Sequence, residues 1–290
     1  MKNNIIYFVL FLFFTACIKT SNTPLNLVTV MQKADSLNLL SDSATISNYT
    51  RKNLIPLFHL YNNSKKAIIL KYLTKSKEKN NLLLAEELIK KNYNKINKCD
   101  LGTIELIQYY NQYSKCNKNN ELSQINWNKI YEDDQMYRRL FNKYNNDPQK
   151  LDSIGRLTIK QDSINRGFVK FLIKKHTLDT ILDDDCDCLA SKSIFYIAQH
   201  SDMEINFRKE ILEYVLKSNS YSLNNKALLI DRDLTSENKK QKFGTQLQFN
   251  SDTKKLGSSP IEDMKNLDSL RYEYNLPKLS IYLKYVNKIK

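Results

Sequence analysis

Residues 149–175 read QKLDSIGRLTIKQDSINRGFVKFLIKK, a stretch without proline in which apolar side chains recur at helical spacing. Such a pattern predicts one long amphipathic helix. A similar pattern covers Ile125 to Asn145 and stops before Asn146-Asp147-Pro148, where the proline marks a helix boundary. The 290 residues include only five glycines and five prolines, so few positions interrupt helices. We therefore expect a mainly α fold.

The region before these two helices, residues 25–120, has the pattern of shorter helices. Apolar residues repeat at three- and four-residue steps within segments such as 68–73 and 82–89, and polar stretches such as residues 61–64 separate them. This pattern predicts helical hairpins that act as a scaffold. Residues 121–290 are then expected to form a second, helical domain.

The C-terminal domain carries further local signals. Ser201-Asp202-Met203-Glu204 has the spacing of a capping box, so we expect a helix that begins near Asp202 and ends at Lys217. From Gln241 onward apolar residues alternate in period two up to a turn at residues 250–252, which predicts a small β-hairpin inserted between helices. Two short helices divided by residues 275–277 are expected to close the chain.

The N-terminus has the pattern of an export signal. The apolar run from Ile5 to Phe14 is too short for the roughly 30 Å membrane core, but it is typical of a signal peptide, residues 1–16. Residues 14–17, Phe-Thr-Ala-Cys, resemble the lipobox of bacterial lipoproteins, with Phe14 in place of the usual leucine. The resemblance implies that acyl chains such as palmitate on Cys17 hold the protein at the cell membrane or the outer membrane. Residues 17–24 are expected to form a polar tether without an acidic cluster, which favours the periplasmic face.

The net charge of +14 would suit an anionic partner surface. Lysine is abundant throughout the chain, however, so the charge alone does not indicate a binding site. No basic block stands beside aromatic residues as in nucleic-acid-binding motifs. We expect the membrane, an envelope protein or a small-molecule ligand as partners, and no nucleic acid. No Walker, dinucleotide-binding or His-Glu-x-x-His motif occurs, so no cofactor is expected. The acidic run 183–188 is expected to be a solvated loop and not a metal site, because structural zinc sites use longer cysteine spacings.

Four cysteines remain in the exported chain. A helix over residues 101–114 would separate Cys99 from Cys116 by on the order of 25 Å, too far for a disulfide bond. An oxidising compartment permits disulfide bonds, and cross-pairing of these cysteines with Cys186 or Cys188 is open.

An ordered set of polar motifs runs through the C-terminal half. It comprises Asp134-Gln135-x-x-Arg138, Asp162-x-x-Asn165, Gln199-His200-Ser201-Asp202, Asp231-Arg232, Gln241-x-Phe243-Gly244-Thr245-Gln246 and Asp268-x-x-Arg271. In order and spacing, this set resembles an uncharacterised bacterial domain family, over about residues 130–285. Lys175-His176-Thr177-Leu178 stands where its members usually have a Gly-Trp-Pro-like turn. The resemblance implies no particular activity.

Several of these residues have side chains suited to chemistry or binding. The candidate catalytic residues are His200, Asp202 and Asp231, with His200 as a general base that one of the two carboxylates orients. The candidate ligand-binding residues are Arg138, Arg232, Gln241, Gln246 and Arg271, which offer guanidinium and amide groups.

The helical spacing of the motifs also predicts contacts among their own residues. Asp231 is expected to be half-buried and paired with an arginine. Asp134 with Arg138, and Asp268 with Arg271, are expected to pair along one helix face.

Three functional hypotheses remain open at this point. The first is a lipid-anchored envelope protein whose C-terminal domain binds a ligand or a protein. The second is a hydrolase that uses His200 with Asp202 or Asp231. The third is a purely structural envelope lipoprotein, in which the same charged residues lock helices together.

Overall fold

We describe the fold from a computed structural model that covers residues 27–101, 103–114, 121–144, 147–183, 185–218 and 220–288. These residues form thirteen α-helices and one two-stranded antiparallel sheet. The mainly α class with a small β-hairpin is therefore confirmed. The elements in chain order are α1 (Leu27–Leu40), α2 (Ser43–Tyr49), α3 (Asn63–Leu73), α4 (Lys79–Asn92), α5 (Ile104–Tyr113), α6 (Trp127–Lys143), α7 (Pro148–Lys175), α8 (Leu178–Asp183), α9 (Leu189–Gln199), α10 (Ile205–Lys217), α11 (Leu223–Ser236), β1 (Leu247–Asn250), β2 (Lys255–Ser258), α12 (Leu267–Glu273) and α13 (Leu279–Lys288).

The N-terminal helices share one apolar core. Fully buried side chains on α1, α2, α3 and α4 meet there, among them Ile46, Leu70 and Ile89. Short polar side chains cap the helices: Asp42 accepts from the Thr45 amide at 2.8 Å, and Asn62 accepts from the Lys65 amide at 2.9 Å. The predicted scaffold of short helices thus has its own core.

A second apolar core lies among the helices that follow. Its central element is α9, which packs against α6, α7, α8, α10 and α11. The α9 side chains Ile194 and Ala198 are fully buried there, together with Val169 of α7. The bounds of α6 and α7 match the two longest predicted helices to within two residues.

Several contacts join the two cores. A disulfide bond links Cys99 to Cys188, with the Cα atoms 5.6 Å apart. The buried Lys65 ammonium donates to the Tyr272 carbonyl at 2.7 Å, and Asn111 Nδ2 donates to the Cys186 carbonyl at 2.7 Å. Helix α13 also packs on α1. These contacts cross the predicted domain boundary near residue 120, and the boundary itself stays a prediction.

The cysteine pairing agrees with the expected cross-pairing for one bond. Cys99 pairs with Cys188, and Cys186 is also disulfide-bonded. Cys116 lies outside the described residues, so its pairing stays a prediction.

The acidic run before α9 differs from expectation. Asp185 is 5% exposed, and its carboxylate accepts from the amides of Ala190 and Ser191 at 3.0 and 2.7 Å. The expectation of a solvated loop is wrong for this residue, because the first turn of α9 needs acceptors for its free amides.

The predicted capping box is also wrong. The Ser201 hydroxyl donates to the Ile197 carbonyl at 2.6 Å, and α10 begins at Ile205 with no side-chain cap from Glu204. Glu204 instead accepts from Lys170 at 2.9 Å. The chain therefore turns for longer after His200 than the motif indicated.

The β-hairpin is shorter than the period-two pattern predicted. β1 begins at Leu247, and this residue pairs with Ser258 of β2. Residues 241–246 form a loop, because the backbone N–H groups of Phe243 and Thr245 bind a carboxylate and cannot enter a strand ladder.

No described helix is long and apolar enough to cross a lipid bilayer. The signal peptide, Cys17 and the tether lie outside the described residues.

Candidate functional site

Asp231, on α11, is the anchor of the loop formed by residues 241–246. Its side chain is fully buried, not half-buried as expected. The carboxylate accepts from the amides of Lys242 at 2.7 Å, Phe243 at 3.0 Å and Thr245 at 2.9 Å, and from the Thr245 hydroxyl at 2.9 Å. These donors replace the water that a buried charge loses. The predicted arginine partner is wrong, since no arginine of the described residues lies within 4.0 Å of this carboxylate.

Gly244 allows the loop to close around Asp231. Its φ is +67°, a region that side chains with a Cβ rarely adopt. A Cβ at this position would also lie 3.0 Å from Ile261 Cδ1 and 3.3 Å from Leu279 Cδ1. The space beside this glycine is therefore filled by the protein's own side chains.

Gln241 and Gln246 hold the same loop. Gln241 Nε2 donates to the carbonyls of Gln246 at 3.1 Å and Ser259 at 2.7 Å, and its Oε1 accepts from the Gln246 amide at 2.9 Å. Gln241 is fully buried. Its amide is thus occupied within the fold, and the structure gives it no access to a ligand.

Arg271, on α12, holds the loop from the opposite side. Its guanidinium donates to the carbonyls of Phe243, Gly244 and Pro277, the last at 2.6 Å. The predicted Asp268–Arg271 ion pair is wrong, because Asp268 accepts from the Leu279 amide at 3.1 Å instead. Among the described residues, no carboxylate lies within 4.0 Å of Arg271. Burial lowers the pKa of this guanidinium to about 10, so it is still charged at neutral pH.

His200 lies at the corner that directly follows α9, but its partner is neither Asp202 nor Asp231. Its Nδ1 is 2.9 Å from Oδ2 of Asp134, on α6. An ionised carboxylate only accepts, so Nδ1 carries the proton. Asp134 is 1% exposed, whereas the His200 side chain is 20% exposed. The expectation that Asp202 or Asp231 orients His200 is therefore wrong.

Arg138 joins Asp134 to Asp162. It lies 3.7 Å from the Asp134 carboxylate, as expected for one helix face, and donates to both Asp162 oxygens at 2.9 and 2.8 Å. Asp134, Asp162 and His200 bring three ligand-type atoms within 4.8 Å of one another, which is close enough to hold a metal ion. Arg138 contacts both carboxylates, so these side chains form an ion-pair network that joins α6, α7 and the residue after α9.

Arg232 connects the His200 corner to the loop. It donates to the Gln199 carbonyl at 3.2 Å, to Gln246 Oε1 at 3.4 Å and to the Asp202 carboxylate. Asp202 also faces Arg208, a fully buried arginine on α10 that is not among the predicted site residues. Asp202 therefore pairs with these two arginines, and this structural role does not involve His200.

A cavity of about 270 Å³ lies where the N-terminal helices meet α11, α12 and α13. We call it the Arg271 cavity. Among the predicted site residues, only Arg271 lines it. The lining residues are Asp35, Asn38, Leu39, Ile68, Lys71, Tyr72, Asn224, Leu228, Thr245, Arg271, Asn275, Leu276, Pro277 and Tyr282.

The lining of the Arg271 cavity includes more cationic than anionic side chains. Lys71 and Arg271 are cations, while Asp35 accepts from the Tyr72 hydroxyl at 2.9 Å. Burial raises the pKa of Asp35 to about 6. The cavity therefore carries excess positive charge at neutral pH, and more below pH 6.

No family model, curated protein or solved structure matches this chain. The resemblance to an uncharacterised domain family stays an expectation.

We predict that Asp231→Asn destabilises the protein by about 2 to 4 kcal/mol, since the amide offers one acceptor oxygen and turns N–H donors towards the loop amides. Chemical denaturation of the two proteins measures the difference. Asp252→Asn, at an exposed hairpin position, is the matched control and should change stability by less than about 0.5 kcal/mol. Equal effects of the two substitutions would contradict the anchoring role of Asp231.

Proposed function

We propose that this protein is a lipid-anchored, periplasm-facing envelope protein that binds a small ligand in the Arg271 cavity. The ligand-binding part of the proposal rests on one observation. The buried Arg271 guanidinium has no carboxylate within 4.0 Å among the described residues, and it lines a cavity large enough for a small molecule. A buried charge of this kind is stabilised by an anion.

The size and lining of the Arg271 cavity support ligand binding. Small-molecule sites have volumes of roughly 300–1,000 Å³, with apolar walls and few polar groups. At about 270 Å³, this cavity lies just below that range. Leu39, Ile68, Leu228 and Tyr282 give it apolar walls. The expected ligand is therefore small and partly apolar.

The charge of the cavity favours an anionic ligand. Arg271 and Lys71 outnumber Asp35, whose pKa of about 6 also makes it the weaker counter-charge near that pH. Arg271 is held rigidly by carbonyl acceptors on two segments. A rigid donor loses little conformational freedom on binding, which favours affinity.

A hydrolase is the second candidate, and the Asp134–His200 contact favours it. The buried carboxylate fixes the proton on Nδ1, so that Nε2 is the free base, as in catalytic histidine–carboxylate pairs. Among the described residues, none hydrogen-bonds His200 Nε2. A purely structural role for the same pair is the alternative.

We predict that purified protein begins with an acylated Cys17. Mass spectrometry of the intact protein and of its N-terminal peptide measures this. An unmodified Cys17, or residues 1–16 retained in the mature protein, would contradict lipid anchoring.

We predict that Leu39→Trp blocks ligand binding, because the indole ring enters the space that the ligand needs. Saturation-transfer NMR with benzoate and benzamide measures binding to the full chain. At least one of the two should bind the wild type and the Leu83→Trp control, whose altered side chain is exposed. Lack of binding by both molecules, or undiminished binding to a folded Leu39→Trp variant, would rule out this site.

The hydrolase alternative predicts that His200→Ala abolishes hydrolysis of p-nitrophenyl esters and lowers stability by less than about 1 kcal/mol. The structural alternative predicts a larger loss of stability and no esterase activity in the wild type. Denaturation curves and an ester assay on both proteins separate the two.

A further inference from the structure

Asn275 has a left-handed backbone conformation just after the end of α12. Its φ is +58°. Its backbone N–H donates to the Tyr272 carbonyl at 3.2 Å, and the backbone N–H of Leu276 donates to the Arg271 carbonyl at 2.8 Å. This is the Schellman arrangement, in which glycine or asparagine is favoured. The backbone conformation therefore favours glycine or asparagine at this position. It does not by itself require the amide group that asparagine has and glycine lacks.

Asn275 lines the Arg271 cavity, and its side-chain amide has no hydrogen-bond partner among the described residues. Both Oδ1 and Nδ2 are buried, and neither forms a hydrogen bond with a described residue. Buried polar atoms are costly without a partner and are nearly always hydrogen-bonded in native proteins. One donor and one acceptor thus lie side by side at the cavity without a partner among the described residues.

Arg271 offers a further donor in the same cavity. Its hydrogen bonds to Phe243, Gly244 and Pro277 use Nη1 and Nε. Among the described residues, none accepts from Nη2. A carboxylate is the planar anion that a guanidinium binds best.

We propose that the Arg271 cavity binds the carboxyl terminus of a peptide or an N-acylated amino acid. The carboxylate accepts from Arg271 Nη2 and Asn275 Nδ2. The neighbouring amide N–H donates to Asn275 Oδ1. An apolar side chain of the ligand packs among Leu39, Ile68 and Leu228. This inference rests on the proposed ligand-binding function and adds the class of ligand.

The Asn275 acceptor distinguishes this class from other anions. Phosphate monoester dianions and fatty-acid carboxylates present acceptors but no hydrogen-bond donor beside the charge, so they would leave Oδ1 unpaired. The carboxyl end of an acylated residue presents a carboxylate and an N–H on one carbon atom, which matches the donor and acceptor of one amide side chain.

Three small probes test the match, with the full chain and isothermal titration calorimetry. N-acetyl-leucine has the carboxylate, the N–H and an apolar side chain. N-acetyl-leucinamide lacks the charge, and 4-methylpentanoate lacks the N–H. We expect N-acetyl-leucine to bind at least tenfold more tightly than either of the others. Equal binding by the three, or no binding of N-acetyl-leucine at millimolar concentration, would overturn the proposed ligand class.

Asn275→Gly removes the amide group while keeping the left-handed backbone. We expect this variant to bind N-acetyl-leucine about tenfold more weakly. Asn238→Gly is the matched control, because Asn238 has a φ of +58°, also ends a helix and is exposed. It should bind as the wild type does. Unchanged binding by Asn275→Gly would overturn the role of this side chain.

The two proposals fail in different ways. If benzoate or benzamide binds in a manner that Leu39→Trp blocks, but N-acetyl-leucine does not bind, the cavity is a ligand site and the ligand class is wrong. If neither benzoate nor benzamide binds, and N-acetyl-leucine does not bind either, both proposals are wrong.

Discussion

The buried carboxylate of Asp231 is the constraint on which the C-terminal half depends. A charge in this position requires hydrogen-bond donors, and three backbone amides and one hydroxyl of the following loop supply them. The loop must therefore curl around α11, with Gly244 at a positive φ. The β-hairpin begins only after the loop, and the carbonyls of the loop are left to face Arg271. One side chain on a helix thus determines where the only described sheet starts and where a buried cation lies.

Burial of charge also explains the way in which the two cores meet. Lys65 crosses from α3 to the end of α12, and burial lowers its pKa to about 8. Asp35 lies nearby on α1 with a pKa raised by burial to about 6. Together with the Cys99–Cys188 bond, these groups tie the N-terminal helices to the C-terminal elements. The Arg271 cavity lies at this junction, so its walls come from both parts of the chain.

The sequence predicted features that depend on local spacing. The two longest helices and the existence of the hairpin follow from periodicity and helix-breaking residues over short stretches of sequence. It did not predict the partners of charged side chains, because these depend on which helices pack together. Asp134 reaches His200 across 66 positions, a pairing that no motif spacing encodes. The capping box was wrong because the Glu204 amide donates to the Ser201 carbonyl and not to the Ser201 hydroxyl, which itself donates to the Ile197 carbonyl. The Arg271 cavity was missed for the same reason, since Asp35 and Asn275 are 240 positions apart.

Amide hydrogen exchange tests the central role of Asp231 most directly. Loops at protein surfaces exchange quickly, whereas amides in a stable core exchange only on global unfolding. We predict that the amides of Phe243 and Thr245 exchange as slowly as those in the middle of α9, although they lie outside any helix or strand. Rapid exchange of these two amides while the α9 amides remain protected would contradict the account, because the loop would then not be anchored by the buried carboxylate.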